Sequence, residues 1–116
     1  MDQPRGAAAA HLRQQKHGLS KRFGFPSELL PGSLTRSLTK CGKAGCHCAD
    51  GERHEAWVLT FMAGGRRRVE RIPREWVEQV ERRVRAGRLY QDALRDMLAA
   101  NAELLVLARQ QRRKRG

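Results

Sequence analysis

A chain of 116 residues with 24 Lys and Arg against 12 Asp and Glu carries a net charge of +12, which points to a polyanionic partner. Its length allows one domain with a tail and a small apolar core, a size at which a metal staple is physically useful. Three Phe, two Trp and one Tyr are too few for gripping single strands by base stacking, so backbone contact with a duplex is favoured. No secretory or membrane-spanning run is legible, and a cytoplasmic, reducing location is expected.

Residues 1–31 read as an irregular basic N-terminal arm, with five basic and two acidic residues. The alanines of residues 7–10 could support a short helix, but apolar periodicity is weak, and Gly18, Gly24, Pro26, Pro31 and Gly32 interrupt the stretch. Phe23, Phe25, Leu29 and Leu30 could pack back on a core. Residues 32–73 then form a compact module. Leu34 and Leu38 alternate with polar residues across residues 33–39, predicting a short strand.

That strand delivers the chain to residues 41–54, which contain all three cysteines. Cys41, Cys46, Cys48 and His54 stand in the spacing C-x4-C-x-C-x5-H. Three thiols and an imidazole are the donor set of a closed structural zinc site, with four ligands and no open position for water or substrate. Gly42, Gly45 and Gly51 suit a loop that must turn around one ion. His47 is the rival nitrogen donor, but its ring would project away from its two cysteine neighbours. A disulfide with one odd thiol, or a free-thiol loop, are the other readings. The Zn2+ expected here builds structure and catalyses nothing.

Residues 56–62 predict a strong strand with Trp57, Leu59 and Phe61 on one face. Gly64 and Gly65 mark a hairpin turn, and residues 67–72 are the returning strand. Pro73 suits the first turn of a helix. Residues 74–116 form the third region. Val77, Val80, Val84, Leu94, Leu98, Leu105 and Ala108 recur in steps of three and four, with Gly87, Gln91 and Asn101 at the other seam positions. A continuous helix to about residue 111 would run roughly 57 Å, more apolar face than so small a sheet can cover. Either Gly87 breaks the run so that its second half folds back, or Leu94, Leu98 and Leu105 meet a second subunit as a coiled coil or dock on a larger protein. The fold expected is α+β: an antiparallel sheet of about three strands, stabilised by zinc, followed by a long C-terminal helix.

Positive charge concentrates at Arg66, Arg67, Arg68, Arg71 and Arg74, with Arg36, Lys40 and Lys43 nearby. Consecutive arginines at a glycine turn match phosphate geometry, and a β-ribbon can enter a major groove. A solvated, charge-protected edge strand is the plainer account. No carboxylate or histidine cluster outside the cysteine loop completes a hydrolytic site, so an enzyme is not expected.

The run Cys41-Gly42-Lys43 through Cys46 and Cys48 to His54, with Gly32-Ser33-Leu34, Trp57, Gly65 and Ile72-Pro73, resembles a family of small bacterial proteins of unassigned activity, often encoded beside transposases. The resemblance implies an accessory protein of a mobile element. The Gly-Gly hairpin followed by a helix is also similar to the arm-binding domain of phage-type integrases. Together these lead to an expected DNA-binding accessory factor in transposition or recombination, partnered by DNA and by its own copy or a recombinase, with no membrane role. A structured-RNA-binding subunit, and an adaptor docking through its helix without nucleic acid, are the alternatives.

Overall fold

In the computed structural model, which describes residues 1, 3–39 and 54–115, the chain runs α1 (Ala7–Phe23), β1 (Ser33–Thr39), β2 (His54–Ala63), β3 (Arg66–Ile72), a 3-10 turn (Arg74–Trp76) and α2 (Val77–Arg115). The strands form one antiparallel sheet in the order β1-β2-β3, and the long C-terminal helix completes the expected α+β arrangement. Gly64 and Gly65 both take positive φ, 59° and 77°, as a two-residue hairpin turn matched to the twist of its strands requires. Ala63 then faces Arg66, and the register of the whole hairpin follows from that turn.

The register sorts the side chains into two faces. Leu34, Leu59 and Ile72 belong to the inward face with Trp57 and Phe61, because Leu34 pairs with Leu59 and Trp57 with Ile72. Val80 and Val84 of α2 close over this face, and Leu59, Val80 and Val84 form a small buried core flanked by Leu30, Leu34, Phe61, Ile72 and Trp76. Pro73 opens the 3-10 turn rather than α2 itself, and the Trp76 N–H donates to its carbonyl at 2.9 Å. Trp76 therefore enters the edge of the core at the point where the chain turns from sheet to helix.

The N-terminal region differs from an irregular arm. It contains the 17-residue helix α1, running through Gly18 without a break and ending at Gly24 in the left-handed conformation, whose N–H caps the Ser20 carbonyl at 2.8 Å. None of its residues is buried, which is why its sequence has so little apolar periodicity. Polar and aromatic contacts tie its end to α2. Glu28 bridges Lys16 at 3.3 Å and Arg83 at 3.4 Å. Phe25 stacks on Phe23 and meets the edge of Tyr90, with ring centroids 5.4 and 5.7 Å apart.

Residues 24–32 then cross α2. The Leu30 N–H donates to the Arg83 carbonyl at 3.1 Å, and the Leu30 backbone lies directly over Gly87. Gly87 neither breaks nor bends α2 out of the fold; its missing Cβ is the room through which this segment passes. Gly32 follows with φ 91° and sits against the Thr60 carbonyl and the Phe61 side chain. On the other side of this crossing, Arg88 reaches the Gly32 carbonyl and the Ser33 hydroxyl at 3.4 and 3.3 Å, pinning β1 to α2. Beyond Gly87, α2 continues with every described side chain exposed.

Candidate nucleic-acid interface

The face of the sheet turned away from α2 has its own composition. Period-two alternation and the pairings Thr35 with Val58 and Thr60 with Val69 place Thr35, Ser37, Val58, Thr60, Met62, Arg67, Val69 and Arg71 on it. Met62 and Val69 are well exposed, and Arg67, Arg71, Thr35 and Ser37 are exposed beside them. Among the described residues no helix packs on this face. An antiparallel sheet with one wet face is ordinary. A wet face with guanidinium groups, hydroxyls and two bare apolar side chains has what a sugar–phosphate and base-edge surface contacts.

The arginine cluster seen in the sequence is divided by the register. Arg68 lies on the inward face, where its Nη2 is 2.8 Å from Glu70 Oε1 and its guanidinium lies over the Phe61 ring at 5.6 Å. Arg36, also inward, pairs with Glu55 at 3.3 Å, and Glu55 accepts the Trp57 indole N–H at 2.7 Å. These two arginines seal the rim of the core. Arg67 and Arg71 occupy the open face, Arg66 stands at the hairpin turn, and Arg74 follows Pro73 next to Arg71. All four are exposed, and among the described residues none of them has an acidic partner. The hydroxyls of Thr35, Ser37 and Thr60 join them only because of strand register, a signal that residue type alone does not carry.

Lys40, Lys43, Cys41, Cys46 and Cys48 lie outside the described residues. His54 is the first residue of β2, and its backbone pairs with Thr39 at the end of β1. The last pair of the β1–β2 ladder therefore closes residues 40–53 at their base, with Cys41 two residues beyond one side and His54 on the other. The two ends of the segment that holds the expected ligand run therefore meet at one end of the sheet. Arg71, Arg74 and the Trp57–Glu55 pair line a shallow cleft at that same end.

Leu94, Leu98 and Leu105 all lie on the exposed part of α2, away from the sheet. No helix among the described residues is long and apolar enough to cross a membrane.

No curated protein and no solved structure matches the chain. A family match does exist, and it begins inside α1 rather than at Gly32, taking in the crossing segment and the whole sheet before ending in the first turns of α2. Over residues 11–82 the chain matches the family described as Domain of unknown function (DUF6788), and it belongs to that family.

Proposed function

We propose that this chain is a zinc-stabilised DNA-binding accessory protein that lays the open face of its sheet in the major groove, in the service of transposition or recombination of a mobile element. One observation carries the reading: Arg67 and Arg71 stand clear of acidic partners among the described residues, on a face shared with Thr35, Ser37 and Thr60. Strands about 4.8 Å apart put the outer two roughly 10 Å from each other, within a groove about 12 Å wide. Arg67 and Arg71 would bind phosphates or guanine edges, and the hydroxyls would fix register on the backbone. Arg66, Arg74, Lys40 and Lys43 would extend the basic rim, while Arg36 and Arg68 hold the rim of the core.

Cys41, Cys46, Cys48 and His54 would hold the Zn2+, whose role would be to brace the open end of the β1–β2 ladder. The resemblance to proteins encoded beside transposases supports the mobile-element setting. The charge and the hydroxyl-bearing sheet support the nucleic acid. The groove geometry favours DNA, because the major groove of an A-form RNA duplex is too deep and narrow to admit a sheet.

Binding to a DNA duplex measured against salt tests this. Each phosphate that the protein neutralises adds about 0.9 to the steepness of the log–log slope, so replacing both Arg67 and Arg71 with Ala should flatten it by up to about 1.8. The paired Arg68→Ala change should leave the slope unaltered. A matched RNA duplex should compete poorly. A slope unaffected by the double change, or RNA competing as well as DNA, would reject this reading.

A further inference from the structure

Among the described residues, the apolar stripe of α2 lies open beyond the Phe25–Tyr90 contact. Leu94, Leu98 and Leu105 are 45, 57 and 65% exposed, and Met97 and Leu104 beside them are equally bare. The stripe runs into an apolar groove of about 590 Å³ between α1 and α2, walled by Leu12, Leu19, Phe25, Tyr90 and Leu94. We propose that a second copy of this chain covers both. The two α2 helices would lie antiparallel about a two-fold axis near residues 99–100, each placing its C-terminal end in the other's α1–α2 groove. The result is a four-helix arrangement with one sheet at either end.

Three observations favour this occupant. The first is exposed apolar surface. Nine large apolar side chains of α2 beyond Gly87, from Leu89 to Leu107, are each at least 37% exposed. So long a bare apolar stretch marks a protein contact surface. The second is continuity. The exposed stripe prolongs the seam that Val80, Val84 and Gly87 bury against the sheet and Leu30. Because that part is occupied, a parallel helix in register would collide with the sheets, whereas an antiparallel one uses only the stretch beyond Gly87. The third is self-complementarity. An axis near residues 99–100 sets Leu94 against Leu105 of the second copy at both ends, so one surface satisfies itself, as a two-fold interface must. Met97 then comes opposite Ala102 of the second copy, two residues from its Leu104.

The dimer does not depend on DNA and is tested without nucleic acid. Nuclease-treated full-length chain at about 0.5 M salt, where phosphate contacts are suppressed, should sediment as a dimer of about 26 kDa, twice the chain mass. Salt should strengthen the association, since each copy carries +12. Leu98→Asp should give a monomer with an unchanged circular dichroism spectrum per residue, because Leu98 is remote from the core. A photo-crosslinking residue at position 94, in a mixture of isotopically light and heavy chains, should capture the segment around Leu105 of the other copy. A monomer at every concentration up to about 100 µM, or a dimer indifferent to Leu98→Asp, would overturn the proposal. Capture of position 94 by position 94 would overturn the antiparallel arrangement.

Discussion

Gly18 and Gly87 are both glycines in helix interiors, and identical substitutions at them should move stability in opposite directions. A Cβ at Gly18 meets nothing within 4 Å, so Gly18→Ala should add about 0.5–1 kcal/mol through helix propensity alone. A Cβ at Gly87 would be driven into the Leu30 carbonyl, which cannot swing aside because the Leu30 N–H is bonded to the Arg83 carbonyl one turn earlier. Gly87→Ala should therefore lose roughly 1–3 kcal/mol despite the gain in propensity, read as a lower urea midpoint at unchanged m-value. Gly32 is constrained twice over, by φ 91° and by the Thr60 carbonyl beneath it, and Gly32→Ala should be at least as costly. Gly64 and Gly65 were legible in the sequence, because a two-residue hairpin dictates their conformations locally. The sequence leaves Gly87 open between a helix break and a seam position of a continuous helix, since its reason is a backbone lying 57 positions away in the chain.

At the level of elements, the strands were legible because each buries one face and so writes a period of two into its residues: β1 spans the residues that alternation marked, and β2 and β3 extend the expected strands by a residue or two. Helix α1 was not, because a helix that buries nothing leaves no stripe to read; its alanines and the Gly24 cap hold it, with Lys21 and Arg22 placed favourably in the last turn. The arginine cluster was legible as charge but not as two faces, which need the Ala63–Arg66 register. The expected metal loop bears on the same sheet. With Leu59 its only fully buried strand residue among those described, the sheet has little apolar stabilisation of its own. If Zn2+ joins the far end of the β1–β2 ladder, a chelator should lower the thermal midpoint by at least about 10 °C, a shift that about 2 kcal/mol of lost binding energy already produces. The strand signal should go while most of the helical signal persists, and Cys46→Ser should mimic the chelator. One equivalent of zinc by elemental analysis is the direct measurement, and a metal-free protein with an unaltered melt would remove the staple from the account.

On the scale of the whole molecule, extents of 80 × 37 × 23 Å and a radius of gyration of 21.6 Å describe a long body, against about 13 Å expected for a compact chain of this length. A small sheet sits at one end and an uncovered helix at the other. That division gives the two readings a joint consequence. In the antiparallel pair each Val84 lies about fifteen residues from the axis, so the two sheets are roughly 46 Å apart along the helices. Each sheet would carry its own DNA face, and neither face would be used by the dimer contact. A dimer should therefore hold two duplexes at once: a labelled duplex of about 12 base pairs, long enough for one sheet at 3.4 Å per base pair, should be retained on beads bearing a second duplex only when the protein is present. Leu98→Asp should bind a single short duplex with unchanged affinity yet lose this bridging by tenfold or more, because the second contact is then no longer intramolecular. Arg67→Ala with Arg71→Ala should lose both signals together while sedimenting as a dimer. Bridging that survives Leu98→Asp in a demonstrably monomeric protein would mean that one chain carries two DNA faces, and the assignment of binding to the single open sheet would fall.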